Sequence, residues 1–277
     1  METSLTPFIK AELNVGRFII PYRVYGKAPK SIVCINGVQQ SMAMWYSVVR
    51  RFSKDYRIVL FDFPNQGKGK IVSGESYVSP EEQIDILDTV VREAGASGDL
   101  TICSASWGGV IAAAFAVRNP IKVKRLILAS LGTRPNKKMV ETIKKAAQIP
   151  SQNRKEMAEV LIDSFGQDLP EVVKNKIVTQ FQRMSQEALQ AFYQHGLFVI
   201  STEEIGKVVN LKDIKCKTTI LAGEKDTIID LKDVEYLASQ IPNSEIRIIK
   251  GVGHFLHLEK EDLLDVYADI LKFDSKL

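Results

Sequence analysis

The scarcities in this sequence carry much of its information. Cysteine is rare, with only Cys34, Cys103 and Cys216 in 277 residues. An odd number with no metal-ligand spacing argues against a disulfide framework and against a metal site. Each lies in an apolar run that reads as a strand, so buried, reduced thiols in a reducing compartment are expected. An excess of one charge is also missing. With 37 basic against 33 acidic residues, the net charge of +4 is too balanced to point to nucleic acid. No apolar stretch reaches the length that spans a bilayer. The first residues, 1–18, lack a basic region followed by an apolar one, so no signal peptide is expected. The expectation is a cytoplasmic, soluble globular protein, for which 45% apolar and 25% charged residues are ordinary.

Internal repeats, low-complexity tracts and Pro/Gly/Ser-rich linkers are absent as well. What is present is alternation. The runs "SIVCIN" (31–36), "RIVLFD" (57–62), "DLTICS" (99–104), "VKRLILAS" (123–130), "TTILAG" (218–223) and "EIRIIK" (245–250) are almost continuously apolar. Such runs suit strands covered on both faces, as in a parallel sheet. Helix signals separate them. Ser79-Pro80-Glu81-Glu82 is a capping box with proline at the first helical position, opening a helix to about residue 94. "WGGVIAAAFAVRNP" reads as a buried helix stopped by Pro120. "DLKDVEYLASQI" and "EDLLDVYADILKF" follow the last two strands. This order predicts an α/β fold with a mostly parallel sheet. Two earlier runs, "FIKAEL" and "RFIIPYRVYG", are expected to form an antiparallel edge pair. Residues 134–212 carry amphipathic helical patterns and no convincing strand. They are expected to form a helical lid inserted into an α/β core made of residues 1–133 and 213–277.

The chemistry concentrates after the strands. "SASWGG" (104–109) stands between a strand and a helix, close to the G-x-S-x-G pattern of a nucleophile elbow, with serine at its first position. Alone, this hexapeptide is as compatible with a structural serine at a helix start as with a nucleophile. A serine hydroxyl needs a base, and the base needs an orienting acid. Three histidines are on offer. His254 lies in "GVGHFLH", a glycine-rich loop directly after the last strand. His195 falls in the lid and reads as a packing or surface residue, and His257 as a structural hydrogen-bonder. For the acid, "LAGEKDTIID" supplies Glu224, Asp226 and Asp230. Asp230 reads as an N-cap, Glu224 points away from the turn, and Asp226 can reach a histidine on the next loop. Ser106, Asp226 and His254 then follow in α/β-hydrolase order. Backbone N–H groups of Trp107 and of Val38, after Asn36-Gly37, are the candidate oxyanion donors; for Val38 an ordinary strand-to-helix turn is the alternative. Asp62, in "DFPNQGKGK", reads as a brace for nearby loops.

These stretches together resemble the α/β-hydrolase superfamily along nearly the whole sequence. Asn36-Gly37 in place of His-Gly, "VLFDFP..G", "S-x-SWGG" and "GHFL.LE" resemble one branch more closely. That branch holds the 3-hydroxyacyl transferases of the rhamnosyltransferase A-subunit type and the 3-hydroxyacyl carrier protein–coenzyme A transacylases. The resemblance implies a Ser106–His254–Asp226 triad, with Val38 and Trp107 as oxyanion donors, acting on an acyl ester or thioester without metal or redox cofactor. It also implies an acyl carrier protein or coenzyme A as partner. His257 stands where that branch tends to carry aspartate, and the lid matches it weakly. Serine at 106 argues against the aspartate nucleophile of dehalogenases and epoxide hydrolases. Phe165, Phe181, Leu189, Phe192, Tyr193, Leu197 and Phe198 in the lid are candidates for an acyl pocket or for plain core. Arg134, Lys137, Lys138, Lys144 and Lys145 are candidates for docking an acidic carrier or a phosphate, or for a solvated helix face. The alternative function is a catalytically silent binding protein of the same fold. Such proteins usually lose a triad residue, and this sequence keeps all three.

Overall fold

The computed structural model describes residues 6–202, 204–260 and 262–272. Among the described residues, nine strands form one sheet: β1 (Ile9–Val15), β2 (Phe18–Tyr25), β3 (Ser31–Ile35), β4 (Arg57–Phe61), β5 (Lys70–Ile71), β6 (Leu100–Ala105), β7 (Val123–Ala129), β8 (Lys217–Gly223) and β9 (Ser244–Ile249). Their order is β1-β2-β4-β3-β6-β7-β8-β9, with the two-residue β5 also paired to β2. β1, β2 and β5 pair antiparallel, β2 joins β4 antiparallel, and every pair from β4 to β9 is parallel. The polypeptide runs from β3 to β4 on one side, then crosses back to place β6 on the other. The loops after β3 and β6 therefore diverge, and this reversal opens a crevice at the carboxyl ends of the strands.

Helices cover both faces: α1 (Tyr46–Phe52), α2 (Pro80–Glu93), α3 (Gly108–Arg118), α8 (Leu231–Gln240), the short α9 (Leu256–Glu259) and α10 (Leu263–Lys272). One core packs Ile84, Leu87, Ile111 and Phe115 of α2 and α3 against the sheet, and α8 adds Leu237. The opposite core is built by Val48 and Phe52 of α1 with Tyr267 and Leu271 of α10. Central strands β3 and β6 are buried along their whole length, which is why they read as unbroken apolar runs. β9 differs. It is an edge strand, only partly covered, with Ile248 half exposed. The capping box at α2 forms, with the Glu82 N–H donating to Ser79 Oγ at 3.2 Å and the Ser79 N–H to Glu82 Oε2 at 2.9 Å.

Between β7 and β8 are inserted α4 (Lys137–Gln148), α5 (Arg154–Phe165), α6 (Glu171–Arg183) and α7 (Gln186–Thr202). These pack around a small core of their own, including Met157, Phe181 and Leu189. Both ends of the insertion are fastened. The Asp233 carboxylate on α8 accepts the Thr133 and Arg134 N–H groups at 2.6 and 3.2 Å, and the Ile205 N–H donates to the Thr133 carbonyl at 2.7 Å. Two expectations need correction. Asp230 occupies the N-cap position of α8, but its side chain makes no capping bond; it accepts from Asn136 Nδ2 of the insertion at 3.0 Å. Cys216 lies just ahead of β8 rather than within a strand, while Cys34 and Cys103 are register neighbours on β3 and β6; all three are free and buried.

Candidate active site

Ser106 closes β6 and precedes α3 with φ of +48°, in the left-handed region that non-glycine residues rarely occupy. Its N–H donates to the Ala129 carbonyl and its carbonyl accepts from the Gly109 N–H, both at 2.8 Å, which holds the turn in place. Gly108 is needed by close approach: a Cβ there would stand 2.5 Å from the Asn36 carbonyl oxygen. Ser104 fits the other tight position. It is fully buried and its hydroxyl donates to the Ile127 carbonyl at 3.2 Å, so a small side chain meets the sterics without glycine.

The loops after β8 and β9 meet over this turn. They can do so because Gly223 has no side chain; a Cβ would lie 2.1 Å from the Gly253 carbonyl oxygen. Asp226 Oδ1 accepts the Ile228 and Ile229 N–H groups at 2.9 and 3.1 Å, which aims Oδ2 at His254 Nδ1, 2.8 Å away. His254 Nε2 lies 3.1 Å from Ser106 Oγ. With Nδ1–H directed to the carboxylate, Nε2 is left to accept the serine proton. Burial alone would raise the Asp226 pKa, but the His254 ring and the two amides outweigh it and hold the carboxyl below its ordinary range. A hydroxyl, an imidazole and a carboxylate in series can move the hydroxyl proton onto the imidazole and stabilise the resulting charge.

Three further residues fix the histidine loop, and sequence reasoning gave them no such role. Ser130 Oγ donates to the His254 carbonyl at 2.6 Å. The Glu259 carboxylate accepts the Gly253 and Phe255 N–H groups at 2.5 and 3.0 Å, on either side of His254. Glu224 Oε2 accepts the Gly251 N–H at 2.9 Å. The one signal available was a carboxylate in the first turn after a glycine-rich loop, where it can reach back to free amides.

Val38 and Trp107 line the same cavity as Ser106 and His254. Among the described residues, the backbone N–H groups of both make no hydrogen bond to protein acceptors. The preceding Asn36 is a brace. Its Nδ2 donates to the Phe61 carbonyl at 3.1 Å, and its Oδ1 accepts from Trp45 Nε1 at 3.0 Å. Asp62 joins this network, accepting the Met42 and Lys68 N–H groups at 2.6 and 3.0 Å and so tying three loops together.

The cavity measures about 520 Å³, and its walls are largely apolar, with Met139, Ile143, Leu161, Ile177 and Val199 among them. Of the insertion's aromatics, Phe165, Phe181 and Phe192 line it. Leu189 and Tyr193 pack within the insertion's own core, Leu197 is half exposed, and Phe198 packs edge-on to Trp107 at 5.8 Å. His195 is a cavity-wall residue, its ring 4.6 Å from that of Trp107, and burial pushes its pKa down to about 4. His257 points into the opposite core, 4.4 Å from the Trp45 ring, with Nε2 2.6 Å from Tyr267 Oη. Of the basic cluster, Arg134 pairs with Asp233 at 3.6 Å, Lys137 with Glu141 at 3.8 Å, and Lys138 donates to Thr227 Oγ1 at 2.9 Å. Lys144 and Lys145 are exposed.

Residues 30–261 match the family model described as alpha/beta hydrolase fold. This protein belongs to the α/β-hydrolase fold family. Relatives of this α/β hydrolase include acyl- and ester-acting enzymes. One is a (R)-3-hydroxydecanoyl-ACP:CoA transacylase of Pseudomonas putida, 23% identical over 248 residues, which cover 87% of this protein and 83% of the relative. Another is a monoacylglycerol lipase of Bos taurus, 24% identical over 267 residues, which cover 88% of this protein and 77% of the relative. Among solved structures, an alpha/beta hydrolase enzyme from a Medee basin deep-sea metagenome library superposes with a TM-score of 0.81 at 22% identity, covering 96% of this protein and 98% of that one. No helix among the described residues is long and apolar enough to cross a membrane.

Proposed function

We propose that this protein is a serine-dependent acyl hydrolase or acyltransferase acting on carboxylic ester or thioester bonds. The observation that carries this reading is the series Ser106 Oγ, His254 Nε2 and Nδ1, Asp226 Oδ2, with separations of 3.1 and 2.8 Å, on a serine held at positive φ. Ser106 Oγ attacks the substrate carbonyl while its proton passes to His254 Nε2. The carbonyl oxygen becomes an oxyanion, stabilised by the Val38 and Trp107 N–H groups. As the tetrahedral intermediate collapses, the imidazolium returns its proton to the departing alcohol or thiol and an acyl-serine remains. Water or an acceptor hydroxyl or thiol then attacks that ester, with His254 as base, and Ser106 is regenerated.

The apolar cavity supports a medium-length acyl group beneath the helices of residues 134–212, which act as a lid. The transacylase relative and the branch resemblance favour 3-hydroxyacyl groups carried by coenzyme A or an acyl carrier protein. Three buried reduced thiols support a cytoplasmic, reducing setting. The test is labelling with a fluorophosphonate probe and hydrolysis of short-chain p-nitrophenyl esters, with Ser106→Ala as control. Labelling and turnover that vanish in Ser106→Ala are expected. Neither occurring in the parent protein would leave a silent binding protein of this fold. Incubation with 3-hydroxyacyl thioesters separates the two enzymatic outcomes: transferred acyl groups or dimeric acyl ester mark a transferase, and free acid alone a hydrolase.

A further inference from the structure

Next to the main cavity lies a smaller chamber of about 50 Å³ that shares Val38, Gln39, Trp107, Phe192 and His195 with it. Its remaining wall comes mainly from residues 63–66 and 76–78, with Gln83. Three of its residues carry buried polar atoms with no partner among the described residues: Gln66 Oε1, Tyr77 Oη and His195 Nε2. Folded proteins keep such atoms to a few per hundred residues, so three at one chamber is a concentration that ordered water or a polar group of a ligand must satisfy. Several neighbouring polar groups are already spoken for. Trp107 Nε1 donates to Gln83 Oε1 at 3.0 Å, Gln83 Nε2 to the Val78 carbonyl at 3.0 Å, and Asn65 Nδ2 to the Ser76 carbonyl at 2.9 Å.

Among the described residues, no lysine, arginine, aspartate or glutamate lines this chamber. Burial keeps the His195 imidazole neutral and pushes the Tyr77 hydroxyl up, away from ionisation. An anion or a cation entering here would lose its hydration with no charged side chain in the wall, and the nearby Arg17 and Glu82 are already paired with each other at 3.0 Å. A neutral hydroxyl brings one donor and two acceptor sites, which the tyrosine hydroxyl, a neutral imidazole nitrogen and an amide oxygen can all answer. We propose that Gln66, Tyr77 and His195 form a subsite that receives a neutral hydroxyl group of the ligand whose carbonyl lies at Ser106. The placement of that carbonyl rests on the serine reading above. The hydroxyl belongs either to the acyl group or to the alcohol portion, and the chamber's chemistry is the same for both.

Equilibrium binding to Ser106→Ala protein, followed by intrinsic tryptophan fluorescence, tests the subsite without requiring turnover. In one arm, methyl 3-hydroxyoctanoate is compared with methyl octanoate; in the other, glyceryl monooctanoate with propyl octanoate. In one of the two arms the hydroxylated member is expected to bind roughly tenfold more tightly. Adding Tyr77→Phe or His195→Leu should bring that ratio to about one, with Gln66→Met as a third variant if either misfolds. Ratios near one in both arms, as when ordered water alone fills the chamber, would overturn the proposal. So would a ratio that survives the substitutions. A tenfold ratio that Tyr77→Phe or His195→Leu abolishes, beside wild-type protein that labels with no fluorophosphonate, sinks the serine reading alone; labelling without any ratio sinks the subsite alone.

Discussion

Ser130 Oγ donates a 2.6 Å hydrogen bond to the main-chain carbonyl of His254, across 124 residues of sequence. Ser130 itself sits at φ +56° after β7, and its N–H donates to Leu221 of β8 at 2.9 Å. The histidine is thus positioned from two neighbouring strands. Ser130→Ala leaves a buried carbonyl without its donor, which should cost about 1–3 kcal/mol in urea unfolding. Because the His254 ring is then less firmly aimed, kcat for a p-nitrophenyl ester should fall by about tenfold while KM changes little.

Asp226→Asn should be far more damaging to activity than to stability. The amide can hold its place but cannot stabilise an imidazolium or enforce the Nδ1–H tautomer. A kcat loss on the order of 10³–10⁴-fold is expected, read by ester hydrolysis beside circular dichroism. A variant retaining more than a tenth of the parent rate would show that the carboxylate does not serve His254 in this way.

The two tight positions of the elbow should respond to very different degrees. Gly108→Ala drives a Cβ against the Asn36 backbone, where nothing flexible can yield, so loss of both fold stability and ester turnover is expected. Ser104→Gly removes one hydroxyl and its bond to Ile127. It should cost no more than about 2 kcal/mol and leave the Ser106 geometry and turnover largely intact. Thermal melts and fluorophosphonate labelling rates of both variants check this.

His257 makes stability depend on acid. Its ordinary pKa is 6.5, and burial in the fold pushes it down to about 3. Below pH 6.5 the unfolded state binds a proton there that the folded state does not. Its contribution is therefore whole above pH 6.5 and lost progressively as pH falls towards 3, at up to about 1.4 kcal/mol per pH unit. His195, lowered to about 4, adds a second slope of the same sign. Unfolding free energies in urea between pH 7 and 5 should fall accordingly, and His257→Gln should remove its share of that slope.

The parallel strands were legible in the sequence because burial on both faces leaves no polar alternation to confuse the pattern. The same reasoning overstated β9, whose apolar residues cover an edge rather than a sheet interior. β5 has two residues and exists only through its pairing with Phe18 and Ile19, so no local signal announces it. At the candidate site, Ser106, Asp226 and His254, which the structure brings within hydrogen-bonding distance, stand out in the sequence because each follows a strand and each side-chain type has a narrow chemical use. Ser130 does not, since it acts on a backbone group that carries no side-chain signature, and Glu259 is marked only by its place in the first turn after a glycine-rich loop. His195 reads as a packing or surface residue and does pack, against Trp107; that it also faces the cavity carries no sequence signal, because a histidine on a helix looks alike whether its neighbours are core or cavity.

The hydrogen bond from the Ile205 N–H to the Thr133 carbonyl brings the two ends of the helical insertion together. The sheet therefore meets this segment as it would meet a tight turn, whatever lies between the two residues. Closure entropy grows only slowly with loop length, so helices can be lengthened, shortened or exchanged there at little cost to the strands. A chimera joining a relative's helical segment at residues 133 and 205 should therefore keep the strands and the Ser106, Asp226 and His254 arrangement unchanged, which makes this junction the natural place to exchange the cavity's upper wall.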